Sequence, residues 1–390
     1  MTEIHDLRLT HFCTGCGLCQ SLKIAELNID EKGFSFPYVG NEEQLKTLCP
    51  AVSKNIGALD GSKIWGKNEA VYIGWSNKAE VRTKASSGGV LSEILIFLLE
   101  KGLVNEVIHC TADPNVPTKV DVFFSKTSEE ILQRSGSRYA ISHPLIKINQ
   151  IDTAKKYAFV GRPCDVAVLR NYLKTNTAVS DAIPYLFSFF CMGTPSALAQ
   201  SELLDALSCP DCKELTYRGQ GWPGFTVAKD SDGKTYQMTY GESWGKILGR
   251  DLMPLCKFCI DGIGEEADIS CGDAWYQLEN GSPDFSEHDG RNIVFARNSK
   301  GVKLLQSMMA SGCVTLQEIP DYTSYLNKIQ KSQRERKAFL GDRILALKVS
   351  NRPYPNYTAK ILRSYSKGIP VPQHFKAFLG TLKRSLRNRV

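Results

Sequence analysis

Thirteen cysteines constrain this 390-residue chain more than any other feature, because of how they are grouped. Cys13, Cys16 and Cys19 fall in the run CTGCGLC, Cys49 precedes Pro50, and Cys256 and Cys259 form the pair CKFC. Three cysteines spaced two apart, with a further Cys-Pro, make the ligand pattern of a [4Fe–4S] cluster. One short loop can wrap three corners of a cubane while Cys49 supplies the fourth from a distance. Gly15 and Gly17 let the backbone run close to sulfur. The alternative is a four-cysteine zinc site, but those sites usually pair two Cys-x2-Cys knuckles, and here one run supplies three. An iron–sulfur centre restricts the chain to one-electron chemistry, so the question becomes what it exchanges electrons with.

A long chain with an odd number of cysteines is a poor disulfide scaffold. Its start, MTEIHDLRLT, lacks the basic and apolar regions of a signal peptide. Metal-bound thiolates in a reducing, cytoplasmic compartment are therefore expected. The longest apolar runs, such as Ile94 to Leu99, are too short to span a bilayer.

The organisation reads as three parts: residues 1–65, an N-terminal ferredoxin-like cluster segment; residues 66–330, an α/β catalytic domain; and residues 331–390, a basic helical extension. In the middle part strands alternate with helices. AVYIGWS, NEVIHCTA, YAFVG, IPYLFSFFC and NIVFARN read as strands, and the residues following Ser-Ser-Gly-Gly read as a long buried helix with Ser86 or Ser87 as N-cap. This pattern predicts an α/β fold: a mixed sheet, partly parallel, with flanking helices.

Cys164 follows a strand in GRPC at a predicted helix start, and Cys191 ends another strand. The C-terminal ends of parallel strands share one edge, where ligands collect. The two thiols can converge there with Cys256 and Cys259 to close a second cluster, Cys271 being a rival fourth ligand; the alternative is ordinary buried core cysteines. Cys209 and Cys212, in CPDC, read as an inert surface pair, and Cys110 and Cys313 as thiols in apolar contexts.

Two loops suit phosphate. Lys84-Ala-Ser86-Ser87-Gly88-Gly89 opens a helix, and Gly136, Ser137 and Arg138 lie in SGSRY. Lys84 and Arg82 add positive charge. Beside iron–sulfur ligands these loops point to a nucleotide-containing flavin, which accepts a hydride and releases single electrons. His109, His143 and His288 are proton-handling candidates by residue type alone, and no catalytic residue is assigned.

The net charge of +7 hides an asymmetry: from residue 331 onward fifteen Lys or Arg face only Glu335 and Asp342, which makes the tail +13 and the rest −6. At its end Phe375, Phe378, Leu379, Leu382 and Leu386 fall on one helical face, with Lys376, Lys383, Arg384 and Arg387 largely off it. That face suits a membrane surface, an acidic electron carrier, or packing on the protein's own body. No nucleic-acid module is recognised, so no nucleic-acid partner is expected.

The ordered series CTGCGLC, KASSGGVLSEIL, SGSRYAIS, GRPCDVAVLRNYL, FFCMGTPS, YRGQGWPG, LCKFCIDGIGEEADISCGDAW and GRNIVFARNSKG resembles the coenzyme F420 hydrogenase/dehydrogenase beta-subunit family, which includes 7-hydroxymethyl chlorophyll a reductase. The resemblance runs from about His11 to Gly301. It implies a flavoenzyme with FAD and one or two [4Fe–4S] clusters. It places Cys13, Cys16, Cys19 and Cys49 on the first cluster and Cys164, Cys191, Cys256 and Cys259 on the second. Ser86, Ser87, Gly88, Gly89, Gly136, Ser137 and Arg138 fall in its FAD segments, and Asp268, Gly272 and Asp273 in the segment after CKFC. Three features depart from the family pattern: Met192 stands where His is often found, Cys271 where a small or apolar residue is usual, and the basic tail lies outside it.

The expected activity is that of an iron–sulfur flavoprotein oxidoreductase. It would exchange electrons with ferredoxin or another carrier protein, and a hydride with a small-molecule substrate or F420. The alternatives are a non-catalytic electron-transfer subunit of a larger redox complex and a zinc-stabilised scaffold. The expected location is the cytoplasm, with peripheral membrane contact through the tail as an option.

Overall fold

The computed structural model describes residues 2–50, 52, 63–219 and 221–387. Its centre is an eight-stranded sheet. Across it run Val314–Glu318, Ala70–Ser76, Asn292–Ala296, Ile269–Asp273, Tyr185–Phe189, Tyr157–Gly161, Glu106–Ala112 and Val120–Ser125. The four strands from Ile269–Asp273 to Glu106–Ala112 are mutually parallel, and the others pair antiparallel. This is the mixed α/β architecture that the alternation predicts.

Period-two alternation assigns the two faces of the sheet. Val107, Ala158, Phe187 and Ile269 pack on one side with Ile94, Leu98 and Leu305 from the helices Val90–Glu100 and Ser299–Ala310. Ile108, Phe159 and Leu186 point the other way, onto Val166 and Leu169 of the helix Pro163–Leu173. Strands buried on both faces read as nearly continuous apolar runs, which is why YAFVG was legible as one.

The helix Val90–Glu100 is not capped by Ser86 or Ser87. Its N-cap is Gly89 at φ +76°, and no side chain of its own caps it. The Val90 N–H instead donates to Asn292 Oδ1 at 3.0 Å, while Ser87 Oγ donates to the Arg291 carbonyl and Ser86 Oγ accepts from the Ser137 N–H. A carboxamide from a distant strand has taken the capping role, which frees both serines to tie loops together.

Two small antiparallel sheets flank the centre: Thr2–Glu3, Ser35–Gly40 and Ala25–Ile29 near the N-terminus, and Thr235–Thr239, Phe225–Asp230 and Cys212–Thr216 beside the central sheet. The charged tail folds back as helices. Leu340, Ile344 and Leu347 of the helix Leu340–Val349 share one core with Leu9, Phe12 and Leu45 and with Leu255 and Phe258. The tail therefore covers both segments that carry clustered cysteines. No helix among the described residues is long and apolar enough to cross a membrane.

Candidate functional site

The carboxyl ends of the four parallel strands open into a cavity of about 280 Å³. Gly161, Phe189 and Cys271–Asp273 line its floor, the loops around Ser86 and Ser137 form its rim, and Arg218, Tyr240 and Trp244 close one side. Crevices beyond the carboxyl ends of parallel strands are where α/β proteins bind ligands.

Six of the eight candidate loop residues meet here: Ser86, Ser87, Gly89, Gly136, Ser137 and Arg138. Lys84 does not. It ends the helix Ala79–Lys84 with its side chain exposed and lies outside the lining. Gly88 is also outside the lining, and its lack of a side chain has a packing cause: a Cβ there would sit 2.7 Å from Asn292 N and from Gly74 O. Arg82 turns away too, donating to the Gly290 carbonyl at 2.8 Å.

The charges around the cavity are unequal. Arg218 forms a two-pronged pair with Asp273, both contacts at 3.0 Å, and Trp222 Nε1 donates to the same carboxylate. Arg162 pairs with Asp165 at 2.8 and 2.9 Å. Arg138 has no ion-pair partner among the described residues. Its Nη1 donates to the Leu215 carbonyl at 2.7 Å, its Nη2 donates to the Pro117 carbonyl, and its plane lies 4.8 Å over the Tyr217 ring. Its Nε is buried without a hydrogen-bond partner. Burial works against its charge, which a bound anion would offset.

His109 also lines the cavity. Arg134 Nη1 donates to Ser125 Oγ at 2.6 Å, and Ser125 Oγ contacts His109 Nε2 at 2.6 Å. Ser125 thus links the imidazole to the Arg134 guanidinium. Burial, aided by Arg134, pushes His109 down to about 4, so it is neutral near pH 7. The other two histidines lie elsewhere: His143 contacts the Gly15 carbonyl under the first cysteine loop, and His288 pairs with Asp284.

The cysteines gather in two sets. Burial raises Cys13 well above the ordinary thiol range, and Cys49 and Cys16 raise it further. Burial likewise lifts Cys16 and Cys19 to about 12, each with help from another thiol of the set. In the second set burial dominates again. Cys191 and Cys259 act on Cys164, and Cys256 acts on both Cys191, at about 12, and Cys259, at about 11. Gly17, at φ +83°, turns tightly where a Cβ would lie 3.1 Å from both His143 Cβ and Ile146 Cβ. The Gly15 N–H donates to Cys13 Sγ at 3.3 Å, and the Thr194 N–H to Cys256 Sγ at 3.4 Å.

Among the described residues no group of three or more His, Cys, Asp or Glu closes round one point tightly enough to hold a single metal ion. Each set groups interacting thiols with a backbone N–H turned toward one of them, Cys13 in the first and Cys256 in the second, and cysteine sulfurs so grouped are the donor chemistry of an iron–sulfur core. Thiolates in such surroundings require a strongly positive partner.

Cys271 joins neither set. It lies in the strand Ile269–Asp273 opposite Val294, lines the cavity, and is raised to about 12 by burial alone. Cys209 is not on the surface: it is 1 % exposed in a core with Leu203, Leu215 and Tyr217, while Cys212 is half-buried beside it. Cys110 packs against the core of Ile108 and Val122, as its apolar context suggests, and also lines the cavity. Met192 lines it too, and its carbonyl accepts from Arg336.

Two arginines that sequence reasoning missed tie this region together. Arg162 reaches the Thr14 carbonyl in CTGC at 3.1 Å, Thr194 Oγ1 at 2.9 Å and Asp165, so it lies between the first set, the second set and the cavity. Its place directly before Pro163-Cys164 was the available signal. Arg336, from the tail helix Lys331–Ala338, donates to the Cys191 carbonyl at 2.7 Å and draws Cys191 and Cys259 back down against burial. Nothing local in the sequence marks it.

Residues 71–149 match the family model for the N-terminal part, and residues 154–322 that for the C-terminal part, of the coenzyme F420 hydrogenase/dehydrogenase beta subunit. The chain is 26% identical over 272 residues to the coenzyme F420 hydrogenase subunit beta of Methanococcus voltae, covering 66% of this chain and 87% of that protein. It is 26% identical over 209 residues to the F420-dependent formate dehydrogenase 1 subunit beta of Methanococcus maripaludis, covering 53% and 52%. Among solved structures, a chain of the F420-reducing [NiFe] hydrogenase complex from Methanosarcina barkeri shares the fold. The TM-score is 0.52 at 21% identity, over 72% of this chain and 96% of that one.

Proposed function

Because the chain belongs to the coenzyme F420 hydrogenase/dehydrogenase beta-subunit family, we propose that it is an iron–sulfur flavoprotein oxidoreductase. The observation that carries this reading is the cavity with an unpaired arginine, Arg138, placed beside two sets of buried thiols and joined to them through Arg162. Arg138, with the hydroxyls and amides of the loops around Ser86 and Ser137, would hold the diphosphate of FAD. Cys13, Cys16, Cys19 and Cys49 would hold one [4Fe–4S] cluster, and Cys164, Cys191, Cys256 and Cys259 a second. A bound flavin supplies the conversion between hydride transfer and single-electron transfer.

The chain's own residues prepare the site for that exchange. Arg162 and Arg336 offset the negative charge that ligand thiolates and cluster would bring into a buried region. His109, held neutral by burial, adds a polar imidazole rather than a second positive charge. Tyr240, Trp244 and Tyr139 form an aromatic wall that keeps water from that side. The hydride partner is an F420-type deazaflavin or another hydride-exchanging small molecule, and ferredoxin or a partner subunit exchanges the single electrons. Cytoplasmic placement follows from the need to keep ligand thiols reduced.

The relatives' names, which are those of subunits, favour a second reading: an electron-transfer subunit without turnover of its own. The visible spectrum of anaerobically purified protein, with iron, zinc and flavin quantified per chain, is the test. One flavin with about eight irons supports the proposal, and about four irons would leave Cys164, Cys191, Cys256 and Cys259 as ordinary thiols. Colourless, zinc-loaded protein would overturn it. Turnover of F420 by the isolated chain separates the first reading from the second.

A further inference from the structure

The last described helix, Val371–Leu386, is amphipathic in the reverse of the usual sense. Thr381 and Ser385 are its buried residues, and His374 on the same side bonds Asp342 at 2.8 Å while Ser385 Oγ meets Ser350 Oγ at 2.6 Å. Val371, Phe375, Leu379 and Leu386 are instead 78, 61, 44 and 71% exposed. With half-buried Leu382 they recur every three or four residues, which makes one stripe along the outer side. The helix Leu340–Val349, packed against it, also leaves Leu345 and Val349 exposed. Surface helices normally turn such a stripe inward, so this one is unpartnered among the described residues.

The surrounding charge is of one sign. Lys376, Lys383 and Arg387 border the stripe on its solvent side with Arg384 beyond them, and Lys348, Arg352, Lys360, Arg363 and Lys367 lie exposed on the neighbouring turns. The only acids from residue 331 to 387 are Glu335 and Asp342. Both are half-buried, and Asp342 is engaged by His374. The stripe is a single row of exposed side chains on one helix. A protein partner would have to supply a matching groove, whereas a fluid acyl boundary accepts a single projecting row of Phe and Leu without shape complementarity.

We propose that Val371–Leu386 is an interfacial anchor that lies flat on an anionic lipid surface, with Phe375, Leu379 and Leu386 in the acyl boundary and the flanking cations among the headgroups. Each exposed Lys or Arg near such a surface strengthens binding about fivefold, and the contribution is screened by salt. The inference does not depend on flavin or iron.

The test is co-sedimentation of the full chain with phosphatidylcholine vesicles, with and without phosphatidylglycerol. The expected result is binding to the anionic vesicles only, weakened by high salt. Phe375→Glu with Leu379→Glu should reduce it at least about tenfold, and Lys383→Gln with Arg384→Gln by about fivefold per charge. All four side chains are exposed, so the melting curve should be unchanged, which separates loss of anchoring from loss of fold. Absence of binding to anionic vesicles, or binding indifferent to the Phe375 and Leu379 changes, would overturn the proposal. So would retention on immobilised polyglutamate, or self-association lost in the double variant, if either occurred without vesicle binding. These outcomes would assign the face to an acidic protein or to a second copy of the chain.

Discussion

Replacing Arg162 by Met would remove the side chain that, among the described residues, bridges the Thr14 loop, Thr194 and Asp165. The guanidinium is buried, as is Asp165, and their two contacts are 2.8 and 2.9 Å. Breaking such a buried pair from one side costs about 3–5 kcal/mol, because the remaining carboxylate keeps no compensating charge. The carbonyls of Thr14 and Ser142 and the Thr194 hydroxyl lose a charged donor as well. Asp165 keeps the Arg162 backbone N–H at 2.9 Å, which moderates the loss and places the expected value near about 4 kcal/mol. The assay is urea unfolding of the wild type, Arg162→Met, Asp165→Leu and the double variant. The double variant should recover at least about 2 kcal/mol relative to the sum of the singles, since it leaves no buried charge unpaired. A single variant within about 1 kcal/mol of wild type, or a double variant no better than additive, would refute the account of Arg162 as a buried ionic bridge.

Three further outcomes are expected. His109 is neutral in the fold and down at about 4, against an unfolded value near 6.5, so its contribution is present above pH 6.5 and is lost as pH falls toward 4. The loss is about 3 kcal/mol, and denaturation across that window should be flatter in His109→Phe than in wild type. Arg138→Gln should weaken FAD retention about 10- to 100-fold, as expected for losing a charge-assisted contact, while iron per chain stays unchanged, measured on the same anaerobic preparation. Gly88→Ala should destabilise by about 1–3 kcal/mol, because the new methyl meets backbone at 2.7 Å, and thermal melting reads it directly.

The sheet was legible because its central strands are buried on both faces and therefore apolar without interruption, as in Tyr157–Gly161 and Asn292–Ala296. The two loops that meet at the cavity were legible as loops because their glycines and hydroxyls are contiguous in sequence. The true cap of the helix after Gly89 was not, since Asn292 is some two hundred residues away and only the strand order brings it near. Lys84 looked suitable by composition, but the helix ending at that residue points its side chain outward. Arg336 was invisible for a related reason. In sequence it is one cation in a basic tail, and only folding carries it to the carbonyls of Cys191 and Met192. Long-range polar pairing leaves no periodic trace, whereas burial does.

The core shared by Leu9, Phe12 and Leu340 through Leu347 also sets an order of events during synthesis. The first cysteine loop leaves the ribosome early, yet the residues that complete its hydrophobic surroundings follow some three hundred positions later. At ordinary elongation rates that interval is roughly 15 to 65 seconds. Throughout it the thiols of Cys13, Cys16 and Cys19 stand open to whatever delivers metal or oxidant. The tail closes the compartment last, so a chain truncated before residue 340 should keep its cysteines but lose control over what reaches them.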